Sequence, residues 1–387
     1  GTAGRVEQVR GRLAAARAGA GGGPVVNGGN CLGVRSVPGR TNTLFIPGHK
    51  LAFPDRPADP VALISQSGAF AIARASQQPR LNPRYLVTLG NQIDLTVADY
   101  LERLSDDPEV ELFACYVEGF RPGDGERFFR VAGSIARGGR AVLLYLAGRT
   151  AAGAAASASH TAAVAGDREV ALALARETGV AVAESLADFD DLLRLAWRLR
   201  ARPPRGRAVA ALSNAGFECV ALADNLGRLE LAKLAPETLD GLGALLRAHP
   251  LEGIVTPRNP LDLTPILADE PFAGAAALCL ADPGVDAAVV GCVPLTGALA
   301  TVPAAPEHDE DLRSPDAVAA RLARLWRETS KPWVVVVDSG PLYDPLAEAL
   351  DAAEIPVFRT ADRALRLLEK WTDWRLAAGR RERAAGH

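Results

Sequence analysis

The chain is 387 residues long, enough for two to three domains that each bury a core of their own. With 48% hydrophobic and 23% charged residues it falls in the ordinary globular range, which excludes an intrinsically disordered chain. A formal net charge of −3 provides no basic field, so neither a nucleic acid nor an anionic membrane is an expected partner, and small-molecule chemistry is the default.

The leading residues, 1–57, hold one helix and at most one strand around a glycine-rich turn, Asn27-Gly-Gly-Asn-Cys-Leu-Gly33. Alone they bury too little surface to be a domain, and they read as the tail of something larger. A proline-rich seam, Pro54-Asp-Arg-Pro-Ala-Asp-Pro60, ends them. From there short Val-, Leu- and Ile-rich runs alternate with amphipathic stretches, the pattern of βα units in parallel sheets covered on both faces. Strands are expected at Val61–Ser65, Tyr85–Leu89, Val110–Val117, Ala141–Ala147, Val180–Ala183, Ala208–Ser213, Asp286–Val293, Trp333–Asp338 and Val357–Arg359. Asp94 is a candidate cap for a helix over Leu95–Leu104, Asp167 for one stopped by Gly179, and Ser185 with Asp188 resembles a capping box. Ala201-Arg-Pro-Pro-Arg-Gly206 divides a second α/β region, 204–387, from 58–203. The uncharged run Ala287–Pro306 is about long enough to cross a bilayer, but its prolines and glycines break it as a helix, so it reads as a buried strand and a loop.

Five cysteines, an odd number without a CxxC pair, suggest neither a disulfide framework nor a zinc site, and no metal ligands are assigned. With no apolar secretory segment at the N-terminus, a cytoplasmic protein is expected. The chain lacks Met entirely, even as initiator, which points to a fragment or an edited sequence.

Several turns could carry chemistry. Ala151 to Gly166 consists of small residues apart from His160, and reads either as an Ala-rich helix or linker, or as a mobile loop presenting a histidine nucleophile. Val61 to Phe70 is a buried strand running into a Ser/Gly turn at a helix start, where free N–H groups and the positive dipole end of the helix suit phosphate. The alternative is an ordinary turn capped by Ser65 or Ser67. Thr88 to Asp94 is a similar turn, or merely a helix cap. Glu118 follows a strand that should be buried on both faces, at the end where α/β ligands bind, and a carboxylate there can hold a histidine ring by one nitrogen. Cys31 has no sequence partner for a Cys-His pair. The GxGxxG fingerprint is absent, which argues against a nicotinamide dehydrogenase.

In series, Asn30-Cys-Leu-Gly33, Ser65-Gln-Ser-Gly68, Gly90-Asn-Gln-Ile-Asp94, Tyr116-Val-Glu-Gly119 and Ser159-His-Thr161 resemble the acyl-CoA synthetases that form a nucleoside diphosphate. These are relatives of the succinyl-CoA synthetase α subunit and of ADP-forming acetate-CoA ligase. The resemblance extends more loosely through Ser213-Asn-Ala-Gly216 and Arg258-Asn-Pro-Leu-Asp262. It implies tandem flavodoxin-like, doubly wound parallel-sheet domains: a phosphohistidine domain at 58–203 and a ligase-CoA-like domain at 204–387, preceded by a remnant of a Rossmann-like CoA-binding domain at 1–57. It further implies that His160 is phosphorylated, that Glu118 holds its ring, and that Ser65, Ser67, Gly68, Asn91, Ser159 and Thr161 bind phosphate. Asn30 and Cys31 match the turn near the thiol of coenzyme A. The substrates would be a small carboxylic acid, coenzyme A and ATP/ADP, the nucleotide with Mg²⁺ being handled by an ATP-grasp subunit or domain elsewhere, in a homo- or hetero-oligomer. A different class is a catalytically degenerate CoA-binding or regulatory interaction module. Two positions depart from the family pattern: Gly29 replaces a proline, and Leu146 replaces a lysine before Ala-Gly-Arg.

Overall fold

The computed structural model describes residues 2–19, 21–160, 168–249, 251 and 253–385. The chain forms two compact units, Gly1–Trp197 with Ala377–His387, and Arg198–Leu376. The first contains α1 (Thr2–Ala18), β1 (Val34–Ser36), β2 (Thr41–Asn42), β3 (Asp59–Ser65), α2 (Gly68–Ser76), β4 (Pro83–Thr88), α3 (Val97–Ser105), β5 (Leu112–Val117), α4 (Asp124–Arg137), β6 (Ala141–Leu146), α5 (Ala151–His160), α6 (Arg168–Thr178) and β7 (Ala181–Val182), and α7 (Leu186–Arg198) follows.

Its strands line up as β2-β1-β4-β3-β5-β6-β7. From β4 to β7 every pairing is parallel. Numbered from β3, these five strands run 2-1-3-4-5, the flavodoxin-like winding whose switch point lies between the first and third. Val61, Ala62, Leu63 and Ile64 in β3 are all fully buried, as a central strand covered on both faces requires. Phe113, Phe128, Phe129 and Leu144 fill the core between this sheet and its helices. The leading segment contributes two strands rather than at most one: β1 pairs antiparallel with β4, and β2 with β1.

Asp94 does not cap the next helix. Thr96 is the N-cap of α3, in a capping box with Asp99, and Asp94 instead receives Arg17 and the Val26 N–H. That Arg17 guanidinium holds the Asp94 carboxyl below the usual carboxylate range. Gly179, at φ +82°, follows α6, while Asp167 lies outside the described residues. Ser185 Oγ accepts from the Asp188 N–H at 3.0 Å.

The second unit contains β8 (Ala208–Ser213), α8 (Gly216–Asp224), β9 (Glu230–Leu231), α9 (Pro236–Ala248), β10 (Leu261–Asp262), α10 (Asp269–Ala281), β11 (Ala287–Gly291), α11 (Val318–Glu328), β12 (Trp333–Val336), α12 (Asp344–Ala352) and β13 (Val357–Phe358), with α13 (Ala361–Ala385) closing the chain. Its strands run β10-β8-β11-β12-β13, all parallel, with β9 also beside β8. The same winding therefore recurs. No helix among the described residues is long and apolar enough to cross a membrane, and the run from Ala287 is a buried strand followed by a loop.

Candidate functional site

The switch point of the first sheet is built by two turns, one after β3 and one after β5. In the first, Ser67 caps α2: its Oγ accepts from the Phe70 N–H at 3.2 Å, and its extended backbone leaves the helix N-terminus open. Beneath it the fully buried Ser65 Oγ donates to the Ser67 carbonyl at 2.6 Å. Gln66, also buried, spans both turns. Its Nε2 donates to the Gly119 carbonyl at 2.8 Å, and its Oε1 accepts from the Glu118 and Gly119 N–H groups. One amide thus fixes where Glu118 leaves β5.

Glu118 is half-buried, and Tyr116 Oη donates to its Oε1 at 3.2 Å. Burial and then the charge of Glu118 push the Tyr116 phenol well above its ordinary value, so it stays a donor. The Tyr116 ring stacks on Phe70 at 4.0 Å between centroids, which ties the carboxylate to α2 by packing as well.

The turn of residues 27–33 closes the crevice from the other side. Thr88 Oγ1 accepts from the Leu32 and Gly33 N–H groups at 2.8 and 3.0 Å, and Asn91 N–H donates to Gly29 O at 2.8 Å. Gly90 has φ +56°, and a Cβ there would lie 2.2 Å from the Gly29 and Asn30 carbonyl oxygens, so only glycine lets the two turns touch. Asn30 itself has φ +55°, a left-handed conformation that Asn tolerates better than most residues. Cys31 is half-buried, its Sγ 3.7 Å from the Asn27 carbonyl.

Asn30, Cys31, Ser67, Gly68, Asn91 and Glu118, six of the residues singled out in the sequence, line one crevice of about 350 Å³. No Lys or Arg is among its lining residues, so an anion there meets the N-terminus of α2 rather than a cationic side chain. Residues 151–160 are helical, as alanine's high helix propensity favours, rather than a loop. The side chains of Ser159 and His160, and the whole of Thr161, lie outside the described residues. Gln66, Leu32, Phe45 and Ile72 also line the crevice and were not assigned from sequence; for Gln66 the available signal was its place between two serines at a strand end. Removing the cap, Ser67→Ala, should lower the stability of the first unit by about 1 kcal/mol and weaken phosphate binding, read by urea unfolding with and without phosphate.

In the second unit the corresponding turn differs. Asn214 repeats the amide clamp, donating to Val293 O and accepting from Val293 N–H, both at 2.8 Å. Behind it Glu218, in the first turn of α8, is fully buried. Ser213 Oγ donates to its Oε2 at 2.5 Å, and its Oε1 has no hydrogen-bond partner. Burial, partly offset by Ser213 and reinforced by Asp338, raises the Glu218 carboxyl to about 7.

Residues 58–196 match the family described as Succinyl-CoA ligase like flavodoxin domain. The α subunit of ADP-forming acetate-CoA ligase II from Pyrococcus furiosus is 30% identical over 337 residues, 86% of this chain and 67% of the relative. The α subunit of ligase I from the same organism is 29% identical, over 90% of this chain and 70% of its own length. Among solved structures, the acetyl-coenzyme A synthetase 1 of Ca. Korarchaeum cryptofilum in complex with phosphate and ADP superposes with a TM-score of 0.78 at 26% identity, covering 96% of this chain and 75% of that one. With the flavodoxin-like winding and the shared extent of these relatives, the chain belongs to the ADP-forming acyl-CoA synthetase family, as an α-type portion.

Proposed function

We propose that the chain carries the phosphohistidine half of an acid-thiol ligase that interconverts acyl-CoA, phosphate and ADP with a carboxylate, coenzyme A and ATP. The observation that carries this reading is one crevice lined both by the capped helix start at Ser67 and Gly68 and by Glu118, at a clamped switch point. Phosphate at the α2 N-terminus attacks the thioester carbonyl of acyl-CoA; the C–S bond breaks and coenzyme A leaves, with acyl phosphate formed. The imidazole of His160 takes the phosphoryl group, releasing the carboxylate, and passes it to ADP. Glu118 holds the other ring nitrogen, Asn30 and Cys31 meet the thiol end of coenzyme A, and Asn91, Ser159 and Thr161 complete the phosphate contacts, while Ser65, fully buried, supports the Ser67 turn from beneath instead of touching phosphate. Positioning and fixed dipoles carry most of such catalysis.

Residues 1–57, 58–203 and 204–387 are read as the end of a CoA-binding domain, the phosphohistidine domain and a ligase-CoA-like domain. Among the described residues no group of three or more His, Cys, Asp or Glu side chains is placed to hold a metal ion. The nucleotide and its Mg²⁺ are assigned to an ATP-grasp subunit or domain, in a cytoplasmic complex. The test is to incubate the chain with that partner, ATP and Mg²⁺ and to assay acid-labile, base-stable phosphate on the chain. Label is expected. Its absence from a folded chain with a competent partner overturns the enzyme reading in favour of a degenerate CoA-binding or interaction module.

A further inference from the structure

The crevice after β3 is lined by polar groups, Ser67, Gln66, Asn91 and Glu118, and by apolar side chains, Leu32, Phe45 and Ile72. Leu32 is wedged onto the helix start, because a Cβ on Gly68 would lie 2.5 Å from its Cγ. The Phe45 N–H donates to the Leu32 carbonyl at 3.4 Å, which keeps the Phe45 segment beside it. Phe45 is nevertheless 70% exposed, one of the most exposed large hydrophobic residues among those described. An aromatic ring left in water at the lip of a polar crevice gains free energy from any apolar group that covers it. The crevice, about 350 Å³, is in the range of pockets that hold whole organic ligands.

The geometry points to a substrate acid with a hydrophobic chain or ring of roughly four carbons or more, whose acyl group lies on Phe45, Leu32 and Ile72 while its carboxyl end meets phosphate at Ser67. This rests on the phosphohistidine reading above. Phe45 sets acyl preference and takes no part in the transfer. Each methylene that these apolar side chains fully cover contributes about a fourfold gain in transition-state binding.

The experiment uses the full chain with its ATP-grasp partner, without nucleotide, and acetyl, hexanoyl and benzoyl phosphate labelled in the phosphoryl group. In each the P–O bond to the acyl oxygen breaks, a P–N bond to His160 forms, the carboxylate leaves and the ring proton passes to solvent. Labelling should show kcat/KM at least about tenfold higher for hexanoyl or benzoyl than for acetyl phosphate. Phe45→Ala should cut that ratio about fivefold or more, and Phe45→Leu should restore part of it. A ratio at or below one, or one that Phe45→Ala leaves unmoved, overturns the acyl assignment. If no acyl phosphate labels the chain but ATP with Mg²⁺ does, the acyl assignment falls and the phosphohistidine stands; if neither labels it, both fall.

Discussion

His160→Ala is expected to eliminate acid-labile phosphate from the chain with no residual rate, since the substitution removes the only atom proposed to accept the phosphoryl group. Among the described residues the other imidazoles offer no bypass. His49 and His308 are exposed in loops, and His249 caps the C-terminus of α9, in the second unit. None lines the crevice that holds Ser67 and Glu118. Glu118→Gln should be less severe and more informative: the amide keeps the shape and the Tyr116 contact but loses the charge that stabilises a ring becoming cationic. Losses of roughly 10² to 10⁴ in phosphorylation rate are typical when a ring is left without its carboxylate. Pre-steady-state labelling across pH 6 to 9 separates this from a folding defect, because lost charge changes the pH dependence of the rate while lost structure scales it uniformly. An unchanged profile with an unchanged rate would remove Glu118 from the mechanism.

The second large effect concerns stability and lies in the other unit. The Glu218 carboxyl titrates at about 7 in the folded chain against 4.5 when exposed, and burial is the main cause. Between those values the folded state holds a proton that the unfolded state has released, so stability falls as pH rises through that window. The fall from this group alone is roughly 3 kcal/mol, and it is complete only above the folded value. Glu218→Gln cannot ionise and should abolish that component, making the second unit's unfolding midpoint in urea higher than that of the parent at pH 8 and much closer to it at pH 5. Parallel pH profiles for the two chains would show that folding leaves the titration of this carboxyl unchanged, which overturns the assignment. The direction is unusual for a carboxylate and follows from its surroundings: one hydroxyl donor, an oxygen without a partner, and the Gly291 backbone packed so close that a Cβ there would lie 1.9 Å from Oε2.

Much of this architecture was legible in the chain. Nine apolar runs were expected as strands, and each overlaps one, because a strand covered on both faces must be largely apolar. Ala208–Ser213 agrees end to end, bounded by Gly206 and by the Ser-Asn turn. The short strands β1, β2, β9 and β10 were not legible: two or three residues leave no periodicity, and their partners decide that they exist. Asp94 shows the same limit. As a sequence it is a good cap, but Thr96 makes the capping box, and an arginine 77 residues away takes the aspartate.

For the site, residue type and order alone determined which turns matter, since a Ser-Gly helix start, a carboxylate after a buried strand and a solitary histidine among small residues each have few uses. Tertiary structure decided which of them meet. Only the 2-1-3-4-5 winding brings the ends of β3 and β5 together, the Gln66 amide and the Tyr116 contacts fix Glu118 against the α2 start, and only the absence of a side chain at Gly90 lets residues 28–31 close over them. Phe45 and Ile72 carry no sequence signal because an apolar residue in a loop or a short helix usually serves packing; their place on the crevice wall comes from contacts between segments far apart in the chain. Glu218 is the converse case. An acid in the first turn of a helix reads as a favourable charge on the dipole, and only burial, which depends on everything packed around it, turns it into a cost.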